Sequence, residues 1–515
     1  MDTQHVGTNH TDEVTERTPL IVTRGTNFSY SGQRSDSLIS SSSHLSTTTT
    51  YSKFSLVDDR NEPNDIKVSV LLPSLWHSHR ESTRSIFESF QAQNSLPQVT
   101  QSFTKTENFS NKFSSDRGAS ALLAMWNILP LASSVFSLPY CVAIGGYIVL
   151  PLIFVISIMA DATGILLVDC MYEQSENNKE RRKVHSNYVD IARSAWGKVG
   201  AKFMNIVLVF YLYTGCVLNI LLIGKSIYDV LQPHTSLSFT ALTIIFSASV
   251  YPTLFVRKIS LLSYLSMAGF TSLFVAVIAI MVAFLVEAGT WSIHMKEIPA
   301  INFKGLPLAI SIITLTCVVH TVLPKIESSM KDCTKINKVL HQSFAVTAGL
   351  KFFIASFGSF TYGLFTQSIV TLNVALDNEF AHITCALALL VYAVLNYPMG
   401  MFIVSEFVDS LTEKTVIEKK YFYLWIAVSR FILVSGTVAI AVFVPHFAII
   451  LALRGSLIGT SLVYIFPCYF HLKLKWKNLS VTQRSWDFLL LFTGILFGVT
   501  GFYASVNRLI ALIKN

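Results

Sequence analysis

The chain has 515 residues, of which 52% are hydrophobic and only 14% charged, and its mean hydropathy is +0.51. A soluble domain carries about a quarter charged residues. The composition therefore argues against a soluble fold, and against reading the net charge of +8 as a nucleic-acid footprint. Seven scattered cysteines, with no CxxC and no His/Cys cluster, predict neither a disulfide framework nor a metal or cofactor site.

Residues 1–117 form a separate compositional region, with a Ser/Thr tract at 37–50. Such composition buries too little apolar area to offset chain entropy and predicts a disordered tail. No basic-then-apolar leader opens it, which places it in the cytosol. Within it, Glu16, Leu20 and Ile21 fit an acidic dileucine signal, with the acidic residue four before a Leu-Ile pair. A clathrin adaptor reads such a peptide as an extended strand with two apolar side chains in a pocket. Delivery to lysosomes, endosomes or secretory vesicles of the synaptic type is the expectation.

Residues 118–515 form a transmembrane domain. Apolar runs near 120–142, 146–171, 201–224, 238–256, 260–287, 305–325, 342–365, 380–404, 421–444, 447–471 and 485–510 are each long enough to cross about 30 Å of hydrocarbon. They predict an all-α membrane protein of eleven transmembrane helices. The run at 447–471, with Gly455, Gly459 and Pro467, is the least helix-like. Basic residues crowd alternate loops, among them Arg181, Arg182, Lys183, Lys331, Lys335, Lys473 and Lys475. The opposite loops hold few (Lys225, Lys296, Lys304 and, by this reading, Arg454). By the positive-inside rule the N-terminal tail is cytosolic and the C-terminus lies on the far side. The sequons at Asn9, Asn27, Asn108 and Asn478 then all fall on the cytosolic side, where glycosylation does not occur.

Two spans carry internal prolines at matching places. The first has Pro130 and Pro139, and the sixth has Pro307 and Pro324. A helix that opens within a bilayer exposes backbone groups that lipid cannot satisfy, so breaks survive only against protein or water. A pair of them five spans apart marks an inverted-repeat transporter with its substrate near the midplane. GxSxG, HExxH and Walker-type motifs and paired carboxylates are missing from the sequence, so an enzyme is not expected.

The segments LPKIESSMKDCTKINKVL (323–340) and WNILPLASSVFSLPYCVAIGGY (126–147) resemble the sixth and first spans of the amino acid/auxin permease family. The segment at 444–476 is most similar to vesicular inhibitory amino acid transporter-like members. The resemblance runs in order over roughly 119–513. It implies eleven spans, a five-plus-five inverted repeat of the LeuT-like kind with helices 1 and 6 discontinuous, and amino acid movement coupled to a cation gradient. The chain departs from the family pattern in two places. Ala132-Ser133-Ser134 stands where a glycine-rich break is usual, and Cys317 stands where the vesicular members have an aromatic residue.

A zwitterion needs a carboxylate pocket and an ammonium pocket. Half-helix N-termini supply unpaired N–H groups for the first, and unwound carbonyls serve cations. Ala132, Ser133, Ser134 and Val135 are the expected carboxylate side, and Thr314, Leu315, Thr316 and Cys317 the ammonium side. His320, Asn127 and Asn396 are the ion-coupling candidates, since ionisable residues at membrane depth are functional by default. Asn127 and Asn396 also fit a polar bridge between spans one and eight, the commoner fate of such residues. Tyr211, Tyr213, Asn219 and Tyr392 are candidates to face the pocket. Lys351 is expected to snorkel to the cytosolic interface. The expected partners are an amino acid, protons or sodium, lipid and the adaptor, with no nucleic acid and no cofactor. The expected activity is secondary transport of neutral amino acids across a vesicular or lysosomal membrane. The alternatives are an amino acid sensor signalling through its tail and a sodium-coupled plasma-membrane transporter.

Overall fold

Apolar runs of this length can satisfy their backbone in lipid only as helices, and helices dominate the computed structural model. It describes residues 133–174, 181–256, 259–374, 379–412 and 422–514. The tail with Glu16, Leu20 and Ile21 lies outside the described residues, as do Asn127 and Ala132.

A 3-10 segment, Ser133–Ser137, runs into α1 (Leu138–Gly145), whose Pro139 sits in the first turn, where a missing N–H leaves nothing unpaired. Helix α2 (Val149–Asp169) leads into a hairpin whose strands Tyr172–Gln174 and Arg181–Lys183 pair antiparallel, Tyr172 opposite Lys183. Helix α3 (Tyr188–Leu231) is capped by the Asn187 side chain and broken at Gly197, which takes φ 69°. It is 44 residues long, so the predicted third span is its central part. There follow α4 (Phe239–Ser247), α5 (Ile259–Val286), the short α6 (Trp291–His294), α7 (Leu306–Leu315), α8 (Leu323–Ser329), α9 (Ile336–Tyr362), α10 (Glu379–Thr412) and α11 (Phe422–Phe443). The chain ends with α12 (Phe447–Arg454), two π turns (Gly455–Gly459 and Ser461–Ile465), α13 (Phe466–Lys475) and α14 (Val481–Lys514).

Among the described residues eight helices are long and apolar enough to cross a membrane, and the shorter apolar helices Ser134–Gly145, Phe239–Phe255 and Leu306–Leu315 lie where spans one, four and six are predicted. Large apolar side chains point outward along them, such as Ile278, Val282 and Leu285 on α5 and Phe492, Leu496 and Val499 on α14. Surfaces of that extent mark sites of membrane or protein contact, and their placement along long apolar helices fits lipid.

Packing sorts the helices into groups. Helix α9 lies along α1 and α2, and α7 lies along the same two. Helix α10 packs chiefly on α5 and α3, while α4 and α11 lie against α3. Helices α12 and α14, with the first of the π turns between α12 and α13, close over α7. Loops far from the hairpin join the groups. Gly146 takes φ 86° in the turn after α1, where a Cβ would fall 2.6 Å from the Pro299 carbonyl oxygen. Glycine there lets Tyr147 and Ile148 donate N–H bonds to Pro299 and Ala300, and Asn302 donate to Gly145.

The run at 447–471, expected to be the least helix-like, does depart from α geometry, but the run at 305–325 departs further. The former stays wound through its two π turns, and Pro467 falls in the first turn of α13. A Cβ on Gly455 would lie 2.0 Å from the Ser311 carbonyl oxygen, so only glycine allows this close approach to α7.

Candidate functional site at the break between α7 and α8

Helix α7 ends at Leu315 and α8 begins at Leu323, leaving residues 316–322 outside any helix. Pro324 occupies the first turn of α8, so the proline marks the restart rather than the opening itself. The end of α7 tightens, with the Cys317 N–H bonding the Thr314 carbonyl at 2.9 Å and the Thr316 hydroxyl bonding that of Ile313 at 2.6 Å. Carbonyl groups released past that point need other donors.

Lys351 supplies one. Its Nζ, on α9, donates to the Thr316 carbonyl at 3.1 Å and lies 3.3 Å from Cys317 Sγ. The residue is only 3% exposed, so snorkelling is overturned: the ammonium points inward to the break. The reason is electrostatic, because the C-terminal end of a half-helix offers an ammonium group carbonyl dipoles that lipid does not. Among the described residues no carboxylate pairs with it, and its partners at the break are neutral.

Helix α2 answers the remaining polar groups. Ser157 Oγ lies 4.0 Å from Cys317 Sγ, and Thr163 Oγ1 lies 3.1 Å from His320 Nε2. The Thr163 hydroxyl also donates within its own helix, to the Ala160 carbonyl at 3.0 Å. With its proton spent there, Nε2–H donates to Thr163 and Nδ1 is left as an acceptor. Nδ1 is buried and without a partner among the described residues, as is the Thr314 hydroxyl. His320 itself is 1% exposed.

The 3-10 segment Ser133–Ser137 packs on α7. Ser134, Val135, Thr314, Leu315, Thr316 and Cys317 are all buried. The structure thus brings Ser133–Val135, Thr314–Cys317, His320 and Lys351 into one group of four helices. It does not bring Asn396 there. That amide accepts from Ser266 on α5 at 3.0 Å and donates to the Tyr392 hydroxyl at 3.0 Å. Tyr213 points to the Leu433 carbonyl of α11 at 3.4 Å. Asn219 is buried in the inner face of α3.

Two charges missed by the sequence reading stand out. Arg454, expected in a loop, closes α12 at the middle of the bundle: its guanidinium carbon lies 4.0 Å from the Tyr211 ring centroid, and Nη2 donates to the Tyr211 carbonyl at 3.1 Å. Glu327 on α8 is wholly buried. A cavity of about 560 Å³ opens elsewhere, at the hairpin end between α2, α13 and α14. His471 on its wall lies between Asp487 (2.6 Å) and Asp169 (3.4 Å). None of the residues selected from the sequence lines it. Among the described residues no group of three His, Cys, Asp or Glu is placed to hold a metal ion.

The model of a family described as transmembrane amino acid transporter protein matches residues 117–510. The vesicular inhibitory amino acid transporter of Xenopus tropicalis is 27% identical over 406 residues, covering 75% of this chain and 76% of the relative. The human protein of that name is 27% identical over 411 residues, covering 75% of each chain. Amino acid transporter AVT1E of Arabidopsis thaliana is 30% identical over 388 residues, covering 73% of this chain and 70% of the relative. A solved nucleobase-cation-symport-1 family transporter in a closed conformation aligns with 77% of this chain and 93% of its own at a TM-score of 0.46 and 10% identity, too distant to bear on function.

Proposed function

We infer function from one premise: the chain belongs to the transmembrane amino acid transporter family. It is an amino acid transporter of a multi-pass membrane type, and not an enzyme. We propose that it moves neutral amino acids by secondary active transport across an intracellular vesicular or lysosomal membrane, driven by a proton gradient. On this reading the chain crosses the bilayer eleven times as a five-plus-five inverted repeat, with the hairpin end and the tail in the cytosol. The single observation that carries the mechanism is the opening between α7 and α8, with the Lys351 ammonium bonded to the Thr316 carbonyl.

The chemistry follows from that contact. A zwitterion entering the break meets N–H groups of the 3-10 segment at Ser133, Ser134 and Val135 and, at Thr314–Cys317, carbonyls and the ammonium of Lys351. The Lys351 amine, when protonated, suits the carboxylate, and the carbonyls at the break, each with a second lone pair to offer, suit the ammonium group. A built-in cation bonded to an unwound carbonyl takes the place that a sodium ion would need, which favours protons as the coupling ion. His320 is the second candidate for coupling, because its unpaired Nδ1 can accept a proton without breaking the contact to Thr163. Alternating access then comes from α1, α2, α7, α8 and α9 rocking as a unit against the helices around α3 and α10. The vesicular relatives and the dileucine signal at Glu16, Leu20 and Ile21 support an intracellular membrane with adaptor-dependent delivery.

The test is flux of radiolabelled amino acids into proteoliposomes with an imposed pH step, with and without sodium. Uptake that follows the pH step and ignores sodium is expected. Uptake that requires sodium would overturn proton coupling, and no uptake of any amino acid would overturn the transport reading.

A further inference from the structure

Helix α8 is seven residues long and, among the described elements, packs substantially only on α2. Lipid contact does not explain its position, yet it carries the fully buried carboxylate of Glu327. An ionised group at such a place persists only if it is paired and hydrogen-bonded. Both partners come from the hairpin after α2. The Tyr172 hydroxyl donates to Oε1, and Lys183 Nζ lies 2.5 Å from Oε2 and 2.5 Å from Ser328 Oγ. The two hairpin residues are themselves cross-strand neighbours, so the pairing register delivers both donors to one carboxylate. Lys475, at the end of α13, then donates to the Tyr172 carbonyl and fixes the hairpin from behind.

We propose that Glu327, Lys183 and Tyr172 are the positioning residues of the cytosolic gate: the hairpin clasps α8 across the inner half of the substrate route, and the Glu327–Lys183 pair parts whenever α8 swings out to release or admit substrate. The proposal rests on the transport reading above and assigns the inner gate to three residues outside the break. An inert staple would hold the fold equally in every state. A gate shifts the balance between closed and open states when it is weakened.

Cys333 provides the probe. It follows α8 directly, its thiol lies 3.4 Å from the Glu327 carbonyl oxygen, and it is half-exposed while the other six cysteines are buried. The experiment uses the full chain in proteoliposomes and measures Cys333 labelling by a membrane-impermeant maleimide from the hairpin side, beside flux. Lys183→Met strands the carboxylate in the closed state and is expected to raise the labelling rate about tenfold, and Tyr172→Phe about threefold, as graded losses of hydrogen bonds to a charged group predict. The exchange Lys183→Glu with Glu327→Lys is expected to return labelling toward the unsubstituted rate, although either substitution alone raises it. Unchanged labelling in Lys183→Met protein, or an exchange no better than its single parents, would overturn the gate. Absence of flux in the unsubstituted protein would instead sink the transport reading, while labelling still decides whether the pair holds α8 closed. Should Lys183→Met prevent folding, Tyr172→Phe and the exchange decide on the same readout.

Discussion

Two apolar segments carry similar interruption signals and resolve them in opposite ways. The segment from α7 to α8 contains Pro307 and Pro324, and that from α12 to α13 contains Gly455, Gly459 and Pro467. The first opens over residues 316–322; the second stays wound, absorbing its irregularity in two π turns. The difference lies in what stands opposite. Lys351, Thr163 and Ser157 offer polar groups to the first, so its backbone and side chains find partners on leaving the helix. At Gly455 the second is pressed against the carbonyl oxygen of Ser311 and the side chain of Leu315, and the Tyr188 hydroxyl opposite it takes up the Leu462 carbonyl while the turn stays wound. A bilayer helix therefore opens where its neighbours can take over its hydrogen bonds, and proline alone does not decide it.

The largest expected effect comes from removing the donor that distinguishes the open segment. Lys351→Met leaves the Thr316 carbonyl buried and unpaired, and flux per folded molecule should fall about a hundredfold, equivalent to about 2.7 kcal/mol. Near-normal flux in that variant would end the comparison. Next, Gly455→Val drives a side chain into the Ser311 carbonyl and should destabilise the detergent-solubilised protein by about 1–3 kcal/mol, read as a lowered thermal midpoint. A midpoint equal to that of the parent would show that the two segments are not pressed together.

Smaller and more specific is His320→Gln. Glutamine keeps a donor for Thr163 but cannot take up a proton, so transport should persist at a reduced rate and lose its dependence on pH. A preserved pH profile would remove His320 from coupling. The least effect is expected from Pro467→Ala, which changes a residue already at a helix start. Its stability should move by no more than about 1 kcal/mol, and a larger loss measured by thermal unfolding would mean that the proline shapes the π turns.

Much of this architecture was legible from apolar run length, because lipid forces such runs into helices whatever their side chains. The places of the long helices follow from that logic, while the opening after Leu315 was expected from the paired prolines and the family resemblance. What escaped depends on contacts between distant parts of the chain. Lys351 reads like any basic residue near a span end until the carbonyl of Thr316, 35 positions away, is placed beside it. Glu327 sits within a motif quoted for its resemblance, but its partners lie in a loop read only for charge. Arg454 was counted with the charges of the opposite loops, whereas it closes α12, and Gly455 after it serves close packing on α7. Asn396 was legible as a polar residue in a span, and its role as a bridge to Ser266 follows the commoner fate of such residues.

The backbone bonds that Tyr147 and Ile148 make to Pro299 and Ala300 have a mechanical corollary. They yoke the turn between α1 and α2 to the segment that leads into α7, so none of these can tilt without dragging the others. In the rocking motion proposed above, the part far from the hairpin would act as a single lever, whereas beside the hairpin α8 is tethered mainly through side chains. Motion within the lever should then be uneven, stiff at the yoked end and articulated at the other.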